Sequence, residues 1–163
     1  MLAIPYLAAD GHPVSMRFRR ADWALPQAGS VQTGDTIKTR LEGPKYLGFP
    51  EEPTRVYNVS ALMKPGDTIG VAEGEFDALI LNRVLGAGVG YPGVSSWKKH
   101  HVRLFEGYGK VYIFGDGDEA GRGFVQSMTN RLRNAVPIYM PEGRDVTDVF
   151  LEHGAEGIEG LIA

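Results

Sequence analysis

The 163-residue chain contains no cysteine, which excludes disulfides, iron–sulfur clusters and any Cys-ligated zinc ribbon. Its four histidines do not replace one. His100 and His101 are adjacent while His12 and His153 stand alone, and all four read as surface or loop residues. No apolar run approaches the ~20 residues that span a bilayer. The opening MLAIPYLAADGHP has no basic n-region and reaches Asp10 too soon for a signal peptide. A cytoplasmic protein with no membrane partner is therefore expected. Basic excess is missing too: the net charge is −3. A protein that grips duplex DNA unaided is usually basic. Either nucleic acid is not bound strongly, or acids and bases are segregated into separate sites.

What remains is ordinary for a folded chain. Hydrophobic residues make up 43% and charged residues 23%, enough for one core, with room for one domain or a domain and a small appendage. The first third reads as short strands. LAIPYL (2–7) and VSMRFRR (14–20) are joined through Asp10-Gly11, a turn signal. Period 2 places Arg17 and Arg19 on one face of the second strand, opposite Val14, Met16 and Phe18. Residues 22–55 are rich in Gly and Pro and are expected to form loops and small strands.

From Thr68 the pattern changes. TIGVAE reads as a buried strand, EFDALILNRVL as a helix and AGVGY as a strand. SSWKKHHVRLFEG reads as a helix capped by Ser95 or Ser96. KVYIFG is the clearest strand, followed by a helix over 119–134, the strand AVPIYM and a helix from Val146. Such alternation predicts an α/β fold with a largely parallel sheet flanked by helices. Functional groups in such sheets gather at the carboxyl ends of strands.

Three such places carry acids. Glu73 ends the first strand of the alternating region, and Gly74 is expected to let the chain turn sharply into the helix. Asp77 follows one helical turn on; it is either a site acid or a first-turn acid favoured by the helix dipole. Asp116 and Asp118 follow KVYIFG, and spacing of two in an extended segment aims both carboxylates one way. The plainer alternative is a polar turn with Asp118 as an N-cap. Asp145 and Asp148 follow AVPIYM, either as a capping pair or as further metal-binding acids. Two carboxylates about 4 Å apart repel by roughly 4 kcal/mol at an effective dielectric of 20. A convergent set therefore needs a counter-charge. Oxygen donors without cysteine or organised histidine suit Mg2+ or Mn2+ rather than zinc, and such clusters serve phosphoryl or nucleotidyl transfer.

These motifs resemble the TOPRIM superfamily, which pairs a Glu-Gly at one strand end with a DxD at a later one: Glu73-Gly74 and Asp116-Gly117-Asp118. The local spelling resembles primases in particular. VAEGEFDAL is similar to the "EGE.DAL" of phage primase-helicases, and GDGDEAGR, including Arg122, to their "DGDRAGR". Gly90–Gly93 with Val94 and Ser95 takes the place of their "SLGT" segment. GPKYLGFPEEPTRVYNVSAL (43–62) looks like the primase stretch that precedes the TOPRIM module. The resemblance implies a basic N-terminal subdomain over residues 1–64 and a TOPRIM metal-binding domain over 65–163. It implies Glu73, Asp116 and Asp118 as catalytic residues. It implies Glu73, Asp77, Asp116, Asp118, Asp145 and Asp148 as the set from which Mg2+ (or Mn2+) is bound. Lys45, with Arg17, Arg19 and Arg122, would contact nucleotide or template; the plainer reading of these bases, and of Arg55, is a solvated surface charge.

The departures are that these 163 residues spell out neither a zinc-binding module nor a helicase, and that the late acids are spelled GRDVTDVF rather than as a DPD-like motif. The implied function is a DNA primase catalytic core that makes RNA primers from NTPs on single-stranded DNA. It suits a bacteriophage or plasmid protein, with a replicative helicase or zinc-binding module on another chain. Two rivals stand beside it. One is a TOPRIM nuclease using the same acids, which would not need the KYL-containing segment. The other is a non-catalytic recombination or repair mediator, which would be expected to have lost acids.

Overall fold

The two strand-forming runs at the start of the chain become β1 (Leu2–Leu7) and β2 (Pro13–Arg19). The turn between them uses Gly11 at φ 91°, a left-handed conformation that glycine adopts without steric cost. Asp10 closes it by accepting a hydrogen bond from the His12 N–H (3.1 Å). A short strand, β3 (Tyr46–Leu47), pairs antiparallel with β2, with Arg19 opposite Tyr46 and Phe18 opposite Leu47. The sheet order is β1–β2–β3. The computed structural model describes residues 1–21, 44–92 and 96–163. These form two compact units, Met1–Tyr6 with Pro13–Pro53 and Leu7–His12 with Thr54–Ala163. The expectations for residues 22–43, and for Gly93, Val94 and Ser95, fall outside the described residues.

The second unit is built on four strands: β4 (Thr68–Ala72), β5 (Gly88–Gly90), β6 (Lys110–Gly115) and β7 (Ala135–Tyr139). They lie in the order β5–β4–β6–β7 and every pairing is parallel. Parallel strands are buried on both faces, and β4 and β6 are accordingly buried almost throughout. Pro137, which cannot donate a ladder hydrogen bond, sits in β7 at the sheet edge, where that loss is tolerated.

Side chains alternate across this sheet. Val111 and Ile113 share one apolar cluster with Ile69, Val71 and with Phe124, Val125 and Met128 of α2 (Glu119–Thr129). Tyr112 and Phe114 point into a second cluster. There they meet Leu81 of α1 (Glu75–Val84) and Val146, Val149 and Ile158 of α3 (Val146–Ile162). The result is a three-layer αβα sandwich. Each fully buried aliphatic or aromatic side chain in it contributes about 1.5–3 kcal/mol relative to exposure. Among the described residues no helix is long and apolar enough to cross a membrane.

Three expectations need correction. The described part of SSWKKHHVRLFEG, residues 96–107, is not an α-helix; Lys99–Leu104 coils as a 3-10 helix. Its aromatic residues explain this: Trp97 stacks on Phe105 at 6.1 Å, and Tyr91 packs against both, at 5.3 and 6.3 Å. Packing around this cluster overrides a modest helix propensity. His101 is half-buried rather than free on the surface. Its ring lies 5.6 Å from both Tyr91 and Trp97, and burial, then the neighbouring His100 and Lys98, push its pKa down. Finally, α2 ends at Thr129 rather than Asn134. The Asn134 amide donates to the Phe105 and Tyr108 carbonyls (2.9 and 2.6 Å), which draws the chain out of the helix and into β7.

Candidate functional site

The strand order decides where a site forms. From β4 the chain runs to β5 on one side, and from β6 it runs to β7 on the other. The carboxyl ends of β4 and β6, hydrogen-bonded neighbours, thus flank a topological switch point, the place where open α/β sheets bind ligands. Glu73 follows β4 by one residue and Asp116 follows β6 by one residue. The two acids stand side by side for a topological reason.

Glu73 is half-buried, and its Oε1 has no hydrogen-bond partner among the described residues. Burial pushes its pKa up to about 7, and the charges of Asp116, Asp118 and Asp77 add to the rise. A buried acceptor surrounded by negative charge is stable only with a proton or a cation beside it. Asp116, Gly117, Asp118, Gly143, Arg144, Asp145 and Asp148 line an adjoining open hollow of about 150 Å3.

Local structure positions each of these acids. Asp118 caps α2, its Oδ1 accepting from the Gly121 N–H at 2.7 Å. Asp145 caps α3 by accepting from the Asp148 N–H (2.7 Å), and Asp148 accepts in return from the Asp145 N–H (3.3 Å). The capping pair therefore forms, and its members also face the hollow. Gly117 joins the two acidic segments. Its N–H donates to the Arg144 carbonyl (2.8 Å) and its carbonyl accepts from the Gly143 N–H (2.9 Å). A Cβ at Gly117 would lie 1.8 Å from the Pro141 carbonyl oxygen, so only glycine lets the Asp116–Asp118 turn seat against the 141–144 turn.

Asp77 is placed differently. Its residue is buried on α1, and its Oδ1 accepts from both the N–H (2.9 Å) and the hydroxyl (2.7 Å) of Thr147 on α3. Gly74 also departs from expectation. Its backbone is extended (φ −94°, ψ 154°), which any residue can adopt. Its lack of a side chain matters because a Cβ there would meet Asp77 Oδ2 at 2.4 Å.

The Toprim domain family model matches residues 68–156, which holds the whole parallel sheet and every acid at or beside the hollow. The chain belongs to this family. Its relatives extend the match: the Toprim chain is 39% identical over 161 residues to the Gene 57 protein of Mycobacterium phage D29, covering 96% of this chain and 94% of that protein. It is 29% identical over 134 residues to a DNA primase of Aquifex aeolicus, covering 74% of this chain and 27% of that one. Its fold is that of primase catalytic cores. A DNA primase domain from Pseudomonas aeruginosa superposes with a TM-score of 0.72 at 23% identity, over 98% of this chain and 49% of that domain. A primase catalytic domain bound to single-stranded DNA does so with a TM-score of 0.66 at 22% identity, over 98% and 51%. At these identities the likeness is one of fold, and the chain spans about half the length of those solved domains.

Among the described residues of this Toprim protein, no three carboxylates or imidazoles are drawn close enough to ligate one ion as they stand. The donor set nevertheless fits a hard cation. Mg2+ keeps several waters and takes only one or two protein carboxylates beside substrate phosphates, and Glu73 presents an unpartnered buried oxygen next to Asp116 and Asp118.

Three of the predicted basic residues, Arg17, Arg19 and Lys45, gather in the other unit, on β2 and directly before β3. The Arg17 guanidinium lies 4.7 Å, the Arg19 guanidinium 5.6 Å and the Lys45 ammonium 6.0 Å from the centre of the Tyr46 ring. Arg122 is exposed on α2 and does not line the acidic hollow. Three residues escaped the sequence reading. Tyr46 was visible only as the middle of KYL. Arg144, which lines the hollow and pairs with Glu152 at 3.1 Å, stands directly before Asp145. Thr147 lies 70 positions from its partner, and nothing local announces that bond.

Proposed function

We propose that this chain is the catalytic core of a DNA primase, joining NTPs into RNA primers on single-stranded DNA. The observation that carries the reading is the unpartnered Oε1 of Glu73 at the switch point, beside Asp116 and Asp118. Glu73, Asp116 and Asp118, with Asp145 or Asp148, would hold Mg2+ (or Mn2+). When bound, such a cation neutralises phosphate charge and acidifies the attacking 3′-hydroxyl.

The chain's own residues do the rest. Glu73 Oε1, buried and without a hydrogen-bond partner among the described residues, is the acceptor that would face the cation. Asp118, tied to the first turn of α2, holds its remaining oxygen in a fixed direction. Arg144, at the rim of the same hollow, supplies a guanidinium for a phosphate that the acids would otherwise repel. Lys45, Arg17 and Arg19 form a cationic group around an aromatic ring. That combination suits single-stranded nucleic acid, which offers phosphates and stacking faces; Arg122 adds exposed positive charge. A replicative helicase or a zinc-binding module on another chain would complete template selection.

The test is incubation of purified protein with single-stranded DNA, labelled NTPs and Mg2+ or Mn2+, beside an Asp116→Ala/Asp118→Ala variant. Short RNA products that vanish in the variant are expected. Metal-dependent loss of the DNA itself, without synthesis, would replace the primase with a nuclease using the same acids.

A further inference from the structure

The acidic residues do not all face the same task. Two of α3's first amides carry carboxylates: the Asp148 N–H donates to Asp145 in the same turn, and the Thr147 N–H donates to Asp77 on another helix. A helix's first four N–H groups have no partners within it, so both acids satisfy orphan donors and the positive helix end. Asp77 does more, because its Oδ1 also takes the Thr147 hydroxyl. Most of the α1–α3 contact is apolar, with Leu81, Val146, Val149 and Ile158 in one cluster, and the Arg83 guanidinium lies over the Phe150 ring at 5.6 Å. Apolar packing is non-directional and sets no register by itself. The Asp77–Thr147 pair is a directional contact at the end of that interface, and Thr147 stands between Asp145 and Asp148.

We infer that Asp77 is a positioning residue rather than a metal ligand: it pins Thr147 and thereby sets where Asp145 and Asp148 stand in the acidic hollow. The inference rests on the proposed metal site, and it separates one acid of the resembling motif from the others. Gly74 belongs to the same device, since its missing Cβ leaves room for the other Asp77 oxygen.

The experiment uses the whole chain with four variants, Asp77→Asn, Asp77→Ala, Thr147→Val and the Asp77→Ala/Thr147→Val double. Thermal unfolding is measured in chelator, and Mn2+ binding by paramagnetic resonance. Asp77→Asn keeps an oxygen acceptor for both Thr147 donors, so it should bind Mn2+ within about threefold of the parent. Asp77→Ala removes both hydrogen bonds and should lower Tm by about 5 °C, in keeping with loss of charge-assisted hydrogen bonds. Thr147→Val removes only the hydroxyl bond and keeps the backbone N–H bond, so it should lower Tm and weaken Mn2+ binding by less than Asp77→Ala. The double variant should be no worse than Asp77→Ala, because the partner of the hydroxyl is already gone there. Tenfold loss of Mn2+ binding in Asp77→Asn with normal binding in Thr147→Val would make Asp77 a ligand and overturn the inference. Additive Tm losses would overturn it too. A parent that binds no Mn2+ would sink the metal site while the Tm cycle still decides the pin.

Discussion

Glu73 concentrates the chemistry at the scale of one side chain. Its pKa stands at about 7 in the fold against an ordinary 4.5, so between those values the folded state holds a proton that the unfolded chain has released. The contribution of this group to stability is therefore fully present below about 4.5 and is lost as pH rises through about 7. In chelator, Tm of the parent should drop between pH 5 and pH 8, and Glu73→Gln should flatten that drop. An identical drop in the variant would place the titration elsewhere. Gly117 makes the complementary point about space. Its Cβ would strike a backbone oxygen rather than a mobile side chain, so Gly117→Ala should cost about 1–3 kcal/mol by overpacking. Denaturant unfolding would measure that cost. Primer synthesis in the same variant should fall by more than tenfold, since both acidic turns must shift.

Among the elements, β6 and the ends of α2 and α3 matter most. Ile113, fully buried in the central strand, packs with α2 residues in one cluster; Ile113→Ala should cost roughly 2–5 kcal/mol, read as a lower midpoint in urea at unchanged slope. In α3, Gly154 interrupts the helix at φ 66°, ψ −158°, a backbone conformation that L side chains rarely adopt. Gly154→Ala should therefore destabilise the fold, although the site has open space for a methyl group. A Tm equal to the parent's would show that the helix can straighten there without loss. The elements were legible where periodicity was strong. KVYIFG became β6 without a residue's shift, because a buried parallel strand is a continuous apolar run. The stretch from Ser96 to Gly107 was misread, because its aromatics pack on one another rather than along one helical stripe.

At the scale of the whole molecule, a net charge of −3 coexists with three cations around Tyr46 among the described residues. If that group tracks template phosphates, affinity for single-stranded DNA should fall as salt rises, with a log–log slope of about −0.7 per phosphate neutralised. Replacing Arg17, Arg19 and Lys45 together by alanine should make the slope shallower by roughly 2. Fluorescence anisotropy over a salt series would read both, and an unchanged slope would remove the group from the interface.

The sequence by itself determined the alternating α/β plan, the parallel sheet and the strand-end positions of Glu73, Asp116 and Asp118, because those follow from local periodicity and from what a short apolar run must bury. It also brought Arg17 and Arg19 to one strand face, since the period of a strand is 2. Only the tertiary structure decided what each acid faces. The order β5–β4–β6–β7 set Glu73 next to Asp116. Folding across 70 positions gave Asp77 to Thr147, and packing of Gly117 against Pro141 joined two acidic turns. Such pairings depend on which distant backbones meet, and one-dimensional spacing carries no record of that.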